Sequence, residues 1–191
     1  MKKKINEVLQ FNAVRIHPVE IEPGQLEYAL LDTEVGIIMV VGTSAGIYYL
    51  GFAAVNANAA LSLDPVLREV KKLWPGTAVR ENKSVAALLL PPDGIIHVYL
   101  KGTPFQLNVW RSLAGVKSGE RISYSELALR AGNANATRAV ASAVAANPVS
   151  IVIPCHRIIR KNGDIGKYHW GRLCKEKLLD AELKKDCHTL F

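Results

Sequence analysis

The chain is poor in cysteine, and the three it has, Cys155, Cys174 and Cys187, form no C-x-x-C pair. An odd, scattered set of thiols argues against a disulfide framework and against a zinc cluster. It fits a reducing, cytoplasmic setting in which one thiol is free to be functional. A secretory leader is missing too: Met1-Lys2-Lys3-Lys4 is basic, but no apolar core follows it. The one long stretch without charge, Val35 to Leu63, has the length of a membrane span, yet Gly42-Thr43-Ser44-Ala45-Gly46 interrupts it and Asn56 and Asn58 lie within it. Two short strands around a glycine turn account for it better, so no membrane association is expected. With 49% apolar and 21% charged residues in 191, the composition excludes a disordered chain and suits one large domain or two small ones.

Positive charge is in excess in one half only. Residues 1–100 hold 9 Lys/Arg against 10 Asp/Glu, whereas residues 101–191 hold 15 against 7. A basic half on an otherwise neutral chain fits a polyanionic partner such as nucleic acid; on charge alone a merely soluble basic surface fits equally.

Residues 1–100 read as a mixed α/β domain. Glu27 to Asp32, Val35 to Val41, Ile47 to Phe52 and Ile95 to Leu100 are strand candidates, with a glycine-turn hairpin joining the second and third. Pro65 to Trp74 is an expected amphipathic helix, capped by Asp64 with Pro65 at its first position and stopped by Pro75-Gly76. His17 and His97 have no cysteine partners and are expected as surface or packing residues.

The break falls near Pro91-Pro92-Asp93-Gly94 and Lys101-Gly102-Thr103-Pro104, and residues 101–191 read as a mostly helical domain. Thr103 can cap a helix from Phe105 to about Leu113. Ser123, with Glu126 at capping-box spacing, can cap a second helix ending at Gly132. A third is expected from about Ala134 to Ala146, stopped by Asn147-Pro148. Two short helices joined by a glycine turn resemble a helix-turn-helix. The third helix is rich in small residues, with Ala134, Ala136, Ala139, Ala141, Ser142, Ala143, Ala145 and Ala146, and Arg138 is its one charged side chain. Such a helix can pack tightly, and it can also sink into a narrow groove. Lacking base-reading side chains, it predicts DNA binding with little sequence preference.

After Pro148 a short apolar run, Ser150-Ile151-Val152-Ile153, leads into Pro154-Cys155-His156-Arg157. A thiol beside an imidazole and a guanidinium has the surroundings that favour a thiolate, the nucleophilic form. An inert buried cysteine is the alternative, since adjacency in sequence does not fix geometry.

The string Ile153-Pro154-Cys155-His156-Arg157, with Asn147-Pro148 before it and Gly166-Lys167-Tyr168 after it, resembles the O6-alkylguanine-DNA alkyltransferase family. The likeness extends over Gly102-Thr103-Pro104-Phe105-Gln106, Val109-Trp110, Gly119-Glu120, Ile122-Ser123-Tyr124 and Arg138-Ala139-Val140, so from about Gly102 to Glu182. It implies a ribonuclease-H-like α/β domain followed by a winged-helix, helix-turn-helix-like domain. It also implies a monomer that moves an alkyl group from O6 of guanine, and by extension O4 of thymine, in double-stranded DNA onto its own cysteine.

In that resemblance Cys155 is the alkyl acceptor, His156 the base acting through a water, Glu182 the acid that orients it, and Asn147 a hinge. Tyr124 donates a proton to guanine N3, and Arg138 fills the gap left by the rotated nucleotide. Thr137, Ala139, Ser142, Tyr124 and Ser125 would meet DNA. Tyr168, His169, Trp170, Val144 and Arg157 would form the substrate pocket, with Trp170 narrowing it against bulky adducts. No metal or cofactor is required, and no activator module of the kind some relatives carry is expected.

Two rivals share these residues. A helix-turn-helix regulator sensing electrophiles through Cys155 would need base-reading side chains that the third helix lacks. A cysteine hydrolase built on Cys155, His156 and Glu182 would need an oxyanion hole, and no glycine-rich donor loop adjoins Cys155.

Overall fold

The computed structural model describes residues 2–8, 11–54 and 63–188. The chain divides into two compact units, Met1–Lys101 and Gly102–Phe191. Residues 55–62 of the uncharged stretch lie outside the described part, as does the side chain of Cys187.

The first unit opens with a short helix α1 (Ile5–Val8) and is organised by one mixed sheet of six strands. These are β1 (Ala13–Pro18), β2 (Gln25–Asp32), β3 (Ile37–Thr43), β4 (Gly46–Ala54), β5 (Ala78–Glu81) and β6 (Ile95–Leu100), in the order β1-β6-β4-β3-β2-β5. The expected hairpin is β3–β4, antiparallel, with Ser44-Ala45 at its turn. Glycine is needed on both sides of it. A Cβ on Gly42 would lie 2.3 Å from the Gly46 carbonyl oxygen, and Gly46 itself has φ +155°. Ile38, Met39, Val40 and Val41 are all fully buried, so β3 is covered on both faces, and its unbroken apolar run follows from that. Helix α2 (Asp64–Leu73) packs on β4 through Val66 and Val70, with Trp74 buried just beyond it. A 3-10 segment, Lys83–Leu89, lies against β2 and β3.

One expectation for this unit is corrected, and two strands were not foreseen. Asp64 does not cap α2; it is already helical, Leu63 holds the cap position, and no side chain satisfies the first N–H groups. Strands β1 and β5 carry charged residues and pair with distant partners, β6 and β2, so their short patterns are not local signals. His17 and His97 pack on each other, in keeping with the packing role expected of them: His17 Nε2 lies 2.9 Å from His97 Nδ1, and His17 also meets the Tyr99 ring.

The second unit is mostly helical: α3 (Pro104–Ala114), α4 (Tyr124–Arg130), α5 (Thr137–Ala145) and α6 (Arg172–His188), with a two-stranded parallel ladder of β7 (Ile122–Ser123) and β8 (Ile158–Ile159). Thr103 and Gln106 form a full reciprocal capping box at α3. Ser123 accepts from the Glu126 N–H at 3.1 Å, but the Glu126 carboxylate turns to Arg130 instead of completing a box. Helix α4 ends in a Schellman arrangement. The Asn133 N–H reaches the Ala128 carbonyl and Gly132 adopts φ +76°.

The alanine-rich helix starts later than expected. The Asn133 carbonyl accepts from the Ala136 N–H, closing a turn that leaves Ala134 and Ala136 outside α5. Its inner face, Val140, Ala143 and Val144, packs toward α3 and α4, and Trp110 donates its indole N–H to the Ala143 carbonyl at 2.8 Å. Among the described residues no helix is long and apolar enough to cross a membrane.

Candidate active site

Helix α5 delivers the chain into the turn that carries the thiol. Val152 N–H donates to the Ser150 carbonyl at 2.9 Å, a bond across two residues that places Ile151 at φ +71°. A β-branched residue avoids that region, so the turn stores strain. Asn147 holds it from both sides. Its amide donates to the Ile153 carbonyl at 2.8 Å, and its oxygen accepts from the Val149 N–H at 3.0 Å. The chain then enters a 3-10 turn, Cys155–Arg157.

Cys155 is 7% exposed, and it lines a cleft of about 300 Å³. Tyr124 from α4, Val144 and Ala145 from α5, and Asn147 and Ser150 form part of the wall, and Lys167, Tyr168 and His169 from the loop before α6 complete it. The Tyr168 hydroxyl is 3.9 Å from Cys155 Sγ. Burial pushes the Cys155 thiol up, outweighing hydrogen bonds from Asn147, Tyr168 and Ser150 and the charge of Lys175. The resting form is therefore the thiol, where the sequence neighbours favour a thiolate. Burial likewise raises the Tyr124 phenol, which stays protonated at neutral pH.

Behind the thiol, His156 Nε2 lies 2.8 Å from Glu182 Oε1 on α6. Burial lowers the His156 imidazole despite Glu182, leaving it neutral. Burial would raise the Glu182 carboxyl, but the hydrogen bonds from His156 and Arg157 and the guanidinium charge bring it down to about 2. Among the described residues His156 Nδ1 is buried with no hydrogen-bond partner.

Two pocket residues expected from sequence sit elsewhere. Arg157 is outside the cleft lining because its guanidinium is bound to Glu182. Trp170 is also outside the lining; its indole N–H donates to Ser150 Oγ at 2.8 Å and its ring meets His169 edge-on, so it braces the wall from behind. Arg138, Ala139 and Ser142 are exposed on one side of α5, Thr137 is half-buried at its start, and Ser125 is exposed on α4.

Sequence reasoning missed Ser150, Ala145 and Lys167 in the cleft wall, and it missed Lys175 altogether. Lys175 is 1% exposed, donates to the carbonyls of Ile158 at 2.5 Å and Ile165 at 2.6 Å, and is lowered by burial to about 8. Its signal was in the chain. Cys174, Lys175, Leu178, Leu179 and Glu182 form one buried helical stripe, and a lysine within such a stripe marks a buried cation. Among the described residues no three His, Cys, Asp or Glu side chains group closely enough to hold a metal ion.

A cysteine on a strained turn, with a histidine–carboxylate pair behind it and an open cleft before it, defines a protein built around a thiol nucleophile. Known proteins give that class a family. Residues 104–184 match the family described as 6-O-methylguanine DNA methyltransferase, DNA binding domain. The chain is 36% identical over 172 residues to the methylated-DNA–protein-cysteine methyltransferase of Rattus norvegicus, covering 83% of this chain and 82% of that one. It is 36% identical over 177 residues to the bifunctional transcriptional activator/DNA repair enzyme Ada of Escherichia coli (strain K12), covering 84% of this chain but 46% of the relative, so it spans about half the length of that protein. The crystal structure of the Mycobacterium tuberculosis O6-methylguanine methyltransferase superposes with a TM-score of 0.63 at 25% identity, covering 83% of this chain and 93% of that one. The chain belongs to the methylated-DNA–protein-cysteine methyltransferase family, and it has that family's mixed sheet plus helices.

Proposed function

We propose that this protein repairs double-stranded DNA by taking an alkyl group from O6 of guanine, and by extension from O4 of thymine, onto Cys155, once per molecule. The observation that carries this is the position of the sulfur. It lines an open cleft at the end of a helix whose exposed side bears only small residues and Arg138. In this reading the first unit is the ribonuclease-H-like domain and the second the winged-helix, helix-turn-helix-like domain. In the same reading the protein acts as a cytoplasmic monomer without cofactor.

An alkyl group on O6 is out of reach inside a stacked duplex, so the nucleotide must rotate out, at a cost of a few kcal/mol. The exposed side of α5, with Thr137, Ala139 and Ser142, lies in the groove; Arg138 fills the gap, and Ser125 and Tyr124 meet the strand. The base enters the cleft between Tyr124, Val144, Tyr168 and His169. His156 Nδ1 receives the thiol proton through a water, with Glu182 holding Nε2. The sulfur forms a bond to the alkyl carbon as the carbon–O6 bond breaks, and the guanine leaves neutral with a proton supplied through Tyr124. The thioether product has no leaving group that these residues can expel, so the reaction consumes the protein.

Incubation with a duplex containing O6-methylguanine, followed by intact-mass and peptide analysis, tests this. One methyl on Cys155 is expected, and none in Cys155→Ala. No gain in the parent protein would refute the proposal, and continued turnover of an ester or peptide would point to a hydrolase.

A further inference from the structure

The transfer just proposed needs a neutral imidazole with a lone pair directed away from Glu182. A solitary carboxylate beside a buried histidine works against this, because it stabilises the imidazolium, which can accept no proton. Arg157 changes the balance. Its Nε and Nη2 donate to Glu182 Oε1 at 2.9 and 2.7 Å, the same oxygen that meets His156 Nε2 at 2.8 Å. Its Nη1 donates to the Val116 carbonyl, and Glu182 Oε2 accepts from the Gly119 N–H at 3.3 Å. One guanidinium thus ties the 3-10 turn, helix α6 and the segment after α3 around a single carboxylate.

We infer that Arg157 is a positioning residue: by sharing Glu182 Oε1 with His156 it keeps the imidazole neutral, protonated at Nε2, with Nδ1 free to receive the proton of Cys155. The inference rests on His156 being the base in the proposed transfer. Glu182 is ionised and can only accept, so Nε2 must donate and Nδ1 is the remaining lone pair. The charged groups facing His156 are Glu182 and Lys175 from α6 and Arg157 from its own turn. Burial and the two cations favour the neutral ring, and Glu182 alone opposes them. The guanidinium matters beyond its charge, since Nε and Nη2 converge on Glu182 Oε1 while Nη1 reaches the Val116 carbonyl, a set of bonds that one ammonium cannot span.

The test is the rate of Cys155 alkylation by iodoacetamide between pH 5 and 9, followed on the Cys155 peptide, for the parent, Arg157→Gln and Arg157→Lys. Removing the charge in Arg157→Gln should move the acid limb of the profile up by roughly one pH unit, so that below the limb the rate falls about tenfold and above it far less. Arg157→Lys should keep the limb near its parental position while slowing the reaction at every pH. An even loss across the whole range in Arg157→Gln, or no loss, would overturn the inference. If Arg157→Gln does not fold, nitrogen-15 shifts of His156 in the parent decide. The neutral Nε2-protonated form at pH 7 is expected, and imidazolium or the other tautomer would refute it. Iodoacetamide needs neither DNA nor guanine. A parent protein that shows the limb but takes no methyl from a duplex would sink the repair reading and leave the role of Arg157 standing.

Discussion

Asn147→Ala removes two bonds to the backbone of one turn, and their cost can be built from the parts. The Ile153 carbonyl keeps the Cys155 N–H at 2.8 Å, so it loses one of two donors. The Val149 N–H loses the Asn147 oxygen, and Val149 is fully buried. A carbonyl that retains a partner costs about 1 kcal/mol, and a buried N–H left without one costs about 1–3 kcal/mol. The positive φ of Ile151 adds to the second figure, since such a conformation persists only while its surroundings over-determine it. The sum is about 2–4 kcal/mol, a shift of roughly 30- to 1,000-fold in the unfolding equilibrium. Denaturant unfolding of the parent and the variant, with equal slopes, measures it directly. Transfer from O6-methylguanine should fall at least as far, because the sulfur rides on the released turn. A loss of stability under about 0.5 kcal/mol would refute the view that this amide holds the turn.

Glu182 has its carboxyl at about 2 when folded, against 4.5 ordinarily, so its contribution is complete above pH 4.5 and is lost as the pH falls toward 2, at most about 3 kcal/mol. Unfolding free energy followed by calorimetry should show that decline in the parent and lack it in Glu182→Gln. His156 and His17 are lowered by burial, so their contribution is present above pH 6.5 and is lost below it, in both proteins. Arg138→Ala should weaken duplex binding about equally for all sequences and flatten its salt dependence by about one charge in a titration series; a sequence-dependent loss would show base reading. Trp170→Ala removes the brace behind Ser150 and His169, and transfer from O6-benzylguanine should gain several-fold relative to O6-methylguanine. An unchanged ratio would show that Trp170 has no part in adduct size.

The parts of the fold legible in sequence were those whose signals are local. Thr103-Pro104 and Ser123 announced their helices because a cap and its first turn lie within four residues. The β3–β4 hairpin was legible because its glycines are required by the turn they make. The cleft was half legible. Cys155, Asn147, Tyr124, Val144, Tyr168 and His169 meet in it, but nothing in Pro154-Cys155-His156-Arg157 says that the guanidinium turns inward to α6 while the thiol faces the cleft. Direction within a single 3-10 turn is set by packing from residues far along the chain. The same holds for Lys175, whose acceptors are the carbonyls of Ile158 in β8 and of Ile165 in the loop before its helix.

The two strands that escaped notice, β1 and β5, are the outer members of the six-stranded sheet. β1 carries Arg15, His17 and Pro18, and β5 has four residues, including Arg80 and Glu81. Charge, brevity and proline hide a strand from pattern reading, and they also discourage another chain from adding itself to a free margin. Their camouflage is thus a guard against self-association. Stripping away β1 would uncover β6, whose Ile96, Val98 and Leu100 sit in the core, and the shortened protein would clump before it merely lost activity.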